Sequence, residues 1–333
     1  MTFSSSKLPR GERPSPGAQW SWCATEDDAR RIFASYIDRG GNFVDTADIY
    51  AGGTAEPLVG ELVAPIRDRV VLATKFGLST RDDDVTASGS SYRTMLSAVE
   101  RSLRRLGTDR IDLLWLHAWD GITPIDEVAR GLDALVRSGK VLYVGVSDTA
   151  AWVIALLHAV GTGQGFAPIT AVQLRYSVLD RAAELELLPM ARQLGIGVAA
   201  FGVLAGGVLT GKYGGDGGGR RDQSTLGPHE HRMADIVQSV ARRHGCTPAQ
   251  VAVAWVRNHD DDIVPIVGAR TPSQLDDALG RLDLDLDGED RAILDDAAPP
   301  PRLFPHDVID AVKDQLRGGT RSARLEMPPG AAF

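Results

Sequence analysis

Long apolar runs, cysteine and targeting signals are scarce in this sequence, and each scarcity excludes a class of protein. No window of about 18 uninterrupted apolar residues occurs, so no membrane-spanning helix is expected. Cysteine occurs only at Cys23 and Cys246, which is too few for a disulfide framework and typical of ordinary thiols in a reducing cytoplasm. The N-terminus lacks the basic, apolar and small-residue segments of a signal peptide. We therefore expect a cytoplasmic protein.

The sequence also has fewer basic than acidic residues. The chain has 36 Lys and Arg residues against 44 Asp and Glu residues, a net charge of −8. The basic residues are scattered rather than gathered into a stripe, so a nucleic-acid partner is not expected. His229 and His231 have no third ligand at the spacing of a metal site, and no metal is predicted. The oligomeric state stays open.

The 333 residues are enough for one large domain of the size that α/β barrels occupy. Residues 1–24 are rich in serine, proline and glycine without periodicity, and they predict an irregular leader. From Thr25, apolar residues recur at helical spacing and predict an amphipathic helix, which Thr25 caps and Gly40 ends. We predict a single barrel domain over residues 25–333.

Short apolar runs then alternate with helical segments. The runs are apolar at nearly every position, which predicts strands buried on both faces, as in a parallel sheet. Repeated βα units of this length indicate either a closed barrel or an open doubly wound sheet. Both architectures place active sites at the carboxyl ends of the strands. Seven strands are predicted, over residues 42–45, 70–75, 111–117, 142–147, 171–174, 196–201 and 263–267.

Four polar residues, Asp45, Tyr50, Lys75 and His117, lie at or just beyond the ends of early strands. Each alone has a structural explanation: a turn cap, a packing ring, a solvated strand end and a core imidazole. Together they could protonate a carbonyl oxygen as hydride reaches the carbon. Tyr50 would give the proton, Lys75 would lower its pKa, Asp45 would keep Lys75 charged, and neutral His117 would align the oxygen. Asp48 has no part in this scheme and is interpreted as a turn residue.

Six segments of the sequence resemble the aldo-keto reductases. The likeness runs from about Trp20 to the end of the chain. It implies a (β/α)8 TIM-type barrel that binds NADPH, with Asp45, Tyr50, Lys75 and His117 as catalytic residues. The implied activity is NADPH-dependent reduction of an aldehyde or ketone, with Tyr50 as the proton donor. The segments are GGNFVDTADIY, VVLATKFG, ERSLRRLGTDRIDLLWLHAWD, GKVLYVGVSD, VQLRYS and LAGGVLTGKY.

The resemblance also implies a cofactor site. Arg270 is the residue we expect at the extra phosphate of NADPH, since a guanidinium suits that group. Asp148 stands where asparagine is commoner, and a carboxylate accepts from the nicotinamide carboxamide but cannot donate to its oxygen. Trp20, Trp22 and Trp119 lie in segments that would overhang the rim, where they either shape a substrate pocket or pack the loops. The implied cofactor-binding residues are Ser147, Asp148, Gln173, Phe201, Gly202, Leu204, Gly206, Gly268, Arg270 and Gln274.

The N-terminal end departs most from the resemblance. The first strand of the family should precede the helix at Thr25, yet none is predicted, although Met1-Thr2-Phe3 is similar to the end of that strand. A barrel that lacks one strand leaves unpaired backbone on two others. Either Met1 is an internal methionine of a longer protein, or the chain is an altered family member. The alternatives to an active reductase are a catalytically silent NADPH-binding sensor or partner subunit, and an inactive truncated reductase.

Overall fold

Eight parallel strands form a closed barrel in which each strand pairs with the next and the last pairs with the first. The computed structural model describes residues 2–4, 24–81, 83–214, 226–259 and 263–316. The predicted (β/α)8 barrel is confirmed. Its strands are β1 (Thr2–Ser4), β2 (Phe43–Asp45), β3 (Val71–Phe76), β4 (Ile111–Leu116), β5 (Val141–Ser147), β6 (Ile169–Arg175), β7 (Gly197–Phe201) and β8 (Ile263–Val267).

The N-terminal residues close this barrel, which corrects the expectation that the first strand is missing. Phe3 of β1 lies opposite Val44 of β2 on one side and Val267 of β8 on the other. A strand of three residues is too short to produce a periodic pattern, so its sequence alone does not reveal it. The predicted leader over residues 1–24 therefore contains a barrel strand. Residues 5–23 lie outside the described part of the chain.

Helices cover the outside of the barrel. The first begins as predicted, because Thr25 Oγ1 accepts a hydrogen bond from the backbone N–H of Asp28 at 3.1 Å. Within the described ranges, no helix is long and apolar enough to cross a membrane. The helices are α1 (Glu26–Asp38), α2 (Ala55–Val63), α3 (Tyr92–Leu106), α4 (Ile125–Arg137), α5 (Ala151–Gln164), α6 (Leu187–Leu194), α7 (Pro228–Arg243), α8 (Pro248–His259), α9 (Pro272–Leu279), α10 (Gly288–Ala297) and α11 (His306–Leu316).

The barrel has a small apolar interior, separate from the larger core between strands and helices. Trp115 fills much of this interior, together with small neighbours such as Ala73 and Ala199. Trp115 needs Gly145 on β5, because a Cβ at that glycine would lie 2.5 Å from the indole ring. Lys75 is the partner of Trp115 in the β3–β4 register. The alternation of side chains along β3 therefore turns Lys75 into the barrel as well.

Candidate active site

Asp45 and Lys75 form a buried ion pair at the carboxyl ends of β2 and β3. Lys75 Nζ donates to Asp45 Oδ2 and, at 3.0 Å, to the backbone oxygen of Thr46. Both charged side chains are only 1% exposed. Across the barrel, Gln173 Nε2 on β6 donates to Asp45 Oδ1 at 3.1 Å. Burial lowers the pKa of Lys75, but Asp45 and Tyr50 outweigh it and raise the pKa, so Lys75 stays an ammonium.

The segment after β2 brings Tyr50 over this ion pair. The backbone N–H of Asp48 donates to the backbone oxygen of Lys75 at 3.1 Å, so the chain follows β3 beyond the end of β2. It then turns at Ala51, whose φ of 52° is uncommon for a residue with a side chain. The Lys75 ammonium lies 4.8 Å from the centre of the Tyr50 ring. The proton donor and the cation that we predicted are therefore adjacent.

The phenol of Tyr50 keeps its proton near neutral pH. Burial raises the pKa of Tyr50 above its ordinary value, and the Lys75 charge offsets this only in part. The Lys75 charge thus acts in the predicted direction, but desolvation of the ring is the larger effect. A group that gives a proton must start protonated, so this state suits a general acid.

His117 lies beside Tyr50 as a neutral imidazole. The two ring centroids are 6.0 Å apart and the rings are inclined at 81°. Burial, with a contribution from the Lys75 charge, lowers the pKa of His117 to about 3. His117 Nδ1 is buried, and the described residues offer it no hydrogen-bond partner. A neutral imidazole carries one N–H and can therefore donate one hydrogen bond to a ligand oxygen.

A cavity of about 1020 Å³ opens where these side chains meet. Asp45, Tyr50 and His117 line it, and Lys75 lies behind its wall, bonded to Asp45. The residues that the resemblance implied for the cofactor all line this same cavity. They are Ser147, Asp148, Gln173, Phe201, Gly202, Leu204, Gly206, Gly268, Arg270 and Gln274.

Two cations enter the cavity from the β7 and β8 side of the barrel mouth. Lys212 lies in a helical turn after β7, and Arg270 follows β8. In the part of the chain that the structure describes, neither has a carboxylate partner. Burial and the nearby Arg270 charge lower the pKa of Lys212. Two unpaired cations facing one cavity fit the phosphate groups of a dinucleotide.

Lys212 is a residue that the sequence reasoning missed. It lies in the segment LAGGVLTGKY, which we recognised only for its glycines and its leucine. The sequence did offer a signal that could have identified Lys212, because it is a basic residue near the end of that segment. Gln274, by contrast, was predicted and lies in the cavity wall, where its Oε1 accepts from the backbone N–H of Arg270 at 2.9 Å.

Of the three predicted tryptophans, the structure describes only Trp119. Trp119 is not among its lining residues. Its ring packs edge-on against Trp152 with 5.7 Å between centroids, and its Nε1 donates to the backbone oxygen of Thr123 at 3.1 Å. These contacts favour the loop-packing alternative for Trp119. Trp20 and Trp22 lie outside the described residues.

Comparison with known proteins agrees with this geometry. A sequence model of the aldo/keto reductase family matches residues 15–299, the range that contains the buried ion pair and most of the cavity wall. This chain belongs to the aldo/keto reductase family. It is therefore an NAD(P)H-dependent oxidoreductase of a family that acts on small-molecule carbonyl compounds.

Several curated relatives of this aldo/keto reductase match over most of their length. An aryl-alcohol dehydrogenase of Pestalotiopsis microspora is 32% identical over 292 residues, covering 86% of this chain and 76% of that protein. Norsolorinic acid reductase of Aspergillus flavus is 33% identical over 306 residues, with 88% and 78% covered. An uncharacterized oxidoreductase of Bacillus subtilis is 35% identical over 296 residues, with 83% and 88% covered.

Proposed function

We propose that this aldo/keto reductase uses NADPH to reduce an aldehyde or ketone to an alcohol, with Tyr50 as the proton donor. One observation carries the proposal. Tyr50 and His117 meet over the Asp45–Lys75 ion pair in the wall of a cavity that also holds Lys212 and Arg270, two cations without a carboxylate partner among the described residues. The cavity thus combines a proton donor with groups that suit a phosphate-bearing cofactor.

The four side chains have distinct tasks in this reaction. The bound nicotinamide would supply hydride to the carbonyl carbon. Tyr50 gives its proton to the carbonyl oxygen, and the Lys75 ammonium stabilises the phenolate that remains. Asp45 keeps Lys75 charged inside the barrel, where an unpaired ammonium would lose its proton. His117 donates a hydrogen bond that orients the same oxygen.

The choice of NADPH over NADH rests on Arg270 and Lys212. The two dinucleotides differ by one phosphate on the adenosine ribose, and a guanidinium binds phosphate through paired, charge-assisted hydrogen bonds. Arg270 is half-buried in the cavity wall, and Gln274 holds its backbone. Binding of NADPH in preference to NADH should therefore depend on Arg270.

The name of one relative suggests where to begin with substrates. Because an aryl-alcohol dehydrogenase is among the matching proteins, aromatic aldehydes are the first compounds to test. Aliphatic aldehydes and ketones follow as a second group. Consumption of NADPH is measured by its absorbance while the substrate is varied.

The decisive variant is Tyr50→Phe, which removes the hydroxyl and keeps the ring. We expect kcat to fall by about 10²- to 10⁴-fold, the usual contribution of a positioned general acid. The affinity for NADPH, followed by its fluorescence, should stay within about twofold, because the phenol is not part of the proposed phosphate site. Tyr143→Phe is the matched control, since Tyr143 is 59% exposed on β5 and does not line the cavity.

Three outcomes would change the proposal. Undiminished turnover by Tyr50→Phe would exclude Tyr50 as the donor. NADPH binding by the parent chain without consumption across the whole panel would favour the silent sensor instead. Turnover with NADH equal to that with NADPH would remove the assigned role of Arg270.

A further inference from the structure

Asp148 contributes a carboxylate to the wall of the cavity. Asp45, in the same wall, is paired with Lys75, and Asp180 is paired with Arg175 at 2.5 Å. Over the described ranges, Asp148 forms neither an ion pair nor a hydrogen bond. With Asp45 and Asp180 neutralised, Asp148 is a carboxylate that no described cation pairs with in this part of the cavity.

The carboxylate of Asp148 acts on the reacting groups. Burial raises the pKa of Asp148, and the Lys75 and Arg175 charges lower it. In turn Asp148 adds to the rise in the pKa of Tyr50, after the larger effects of burial, Lys75 and Asp45. These mutual effects require that Asp148, Lys75 and Tyr50 lie within electrostatic reach of one another. Asp148 has a φ of 39°, in the left-handed region that Asp adopts more readily than most residues.

The reaction geometry puts a nicotinamide in this same part of the cavity. The carbonyl oxygen must contact the Tyr50 hydroxyl to receive its proton, and the ring must contact the carbon bonded to that oxygen. The ring therefore lies within the field of the Asp148 carboxylate. The reduced ring is neutral, whereas the oxidised ring carries one positive charge, and the rest of the dinucleotide is the same in both forms.

We propose that Asp148 makes this cavity favour the oxidised dinucleotide, NADP⁺, over NADPH. The inference rests on the proposed function, since it requires the dinucleotide to bind here. An unpaired carboxylate attracts the positive ring and gives the neutral ring no such gain. A difference in affinity between two forms shifts the bound equilibrium toward the better-bound form. Compared with the same cavity without the charge, Asp148 thus shifts the equilibrium on the enzyme toward NADP⁺ and the alcohol, the direction of carbonyl reduction.

The test compares the dissociation constants of NADP⁺ and NADPH, measured by isothermal titration calorimetry without a carbonyl substrate. Asp148→Asn keeps the side-chain shape and removes the charge. We expect the ratio of the NADPH constant to the NADP⁺ constant to fall by about three- to tenfold, the effect of unit charges several ångströms apart in a wet cavity. The fall should come mainly from weaker NADP⁺ binding.

Asp277→Asn is the matched control. Asp277 also lines the cavity, and its Oδ1 accepts from Thr247 Oγ1 at 2.7 Å, a bond that an asparagine oxygen can retain. Asp277 follows β8, on the Arg270 side of the cavity. Its neutralisation should change both dissociation constants together and leave their ratio within about twofold of the parent value.

The outcomes separate this inference from the proposed function. A ratio that Asp148→Asn leaves unchanged, while both forms still bind, would overturn the role of Asp148 alone. A parent chain that binds neither form would overturn the proposed function. If Asp277→Asn lowered the ratio as much as Asp148→Asn, the preference would belong to the net charge of the cavity, and the assignment to Asp148 would be wrong.

Discussion

Two clusters of charged residues lie on opposite faces of β3. They contain similar residue types, but one adjoins the cavity and the other is packed between the strand and the helices. We call Asp45, Lys75 and Tyr50 the inner cluster, because Lys75 projects into the barrel. Thr74, the preceding residue on β3, projects outward, since successive side chains on a strand alternate between its faces. Its Oγ1 donates to Glu56 Oε1 on α2 at 2.7 Å.

The outer cluster consists of Asp48, Glu56 and Arg105 and lies between β3 and the helices α2 and α3. Arg105 Nε donates to Glu56 Oε2 at 2.6 Å, and Glu56 is fully buried. Asp48 is 3% exposed, and its Oδ1 has no hydrogen-bond partner within the described residues. None of the three lines the cavity.

The clusters differ in whether a ligand in the cavity can reach them, rather than in their residue composition. Both bury carboxylates beside a cation. The pKa of His117, which adjoins the inner cluster, is lowered to about 3, and the pKa of Asp48 in the outer cluster is raised to about 7. The inner cluster adjoins the cavity described above, and the residues of the outer cluster do not line it. A shifted pKa therefore identifies a candidate active site only in combination with a cavity that can hold a substrate.

Loss of the cation from the inner cluster should have the largest effect on the molecule. Lys75→Met leaves Asp45 buried without its partner, and the free energy of unfolding should fall by about 3–5 kcal/mol. Turnover should be lost as well, because Tyr50 then lacks the cation that stabilises its phenolate. Urea denaturation followed by circular dichroism measures the first effect, and NADPH consumption measures the second.

The double variant Asp45→Asn with Lys75→Met separates these two losses. With no buried charge left in the pair, much of the stability should return, while turnover stays absent. Stability as low in the double variant as in Lys75→Met would show that the unpaired carboxylate is not the cause.

Loss of the cation from the outer cluster should affect stability alone. Arg105→Met leaves the buried carboxylate of Glu56 with only Thr74, and we expect a loss of about 2–3 kcal/mol, less than for Lys75 because Arg105 is 27% exposed. The kcat of the folded enzyme should not change. Arg104→Met, an exposed neighbour on the same helix, is the control and should shift stability by less than about 0.5 kcal/mol. A fall in kcat for Arg105→Met would show that the outer cluster also supports catalysis, contrary to this prediction.

The inner cluster could be foreseen from the sequence and the outer one could not. Asp45, Lys75 and His117 each end or follow an apolar run, and the ends of parallel strands converge at one rim. The local sequence pattern therefore predicted that side chains far apart in the sequence lie close together in the fold. Glu56 and Arg105 are ordinary charged residues within helical periodicity, and only the packing of α2 and α3 against β3 brings them together.

Two further features escaped prediction for different physical reasons. The strand β1 consists of three residues, so only pairing with β2 and β8 defines it. Asp48 was interpreted as a turn residue, and it does lie in a turn. Its side chain is nevertheless buried, which depends on the helices that cover it rather than on its neighbours in sequence.

Asp48 should make stability depend on pH. Burial raises the pKa of Asp48 from 3.8 to about 7, with a contribution from Glu56 on α2, while Arg105 and Arg101 on α3 oppose the rise. Between about pH 4 and 7 the folded state therefore holds a proton that the unfolded state has lost, so this residue's contribution to stability declines as the pH rises through that window. Asp48→Asn removes the decline.

We expect Asp48→Asn to match the parent chain at pH 4 and to exceed it by about 3–5 kcal/mol at pH 8, an order-of-magnitude figure from linkage. The free energy of unfolding is measured by urea denaturation at several pH values, and the difference between the two proteins cancels every other titrating group. A difference that is the same at pH 4 and pH 8 would show that the Asp48 carboxyl is not protonated near neutral pH. Asp48 would then be a carboxylate throughout that range, and access to the cavity would be the main distinction between the two clusters.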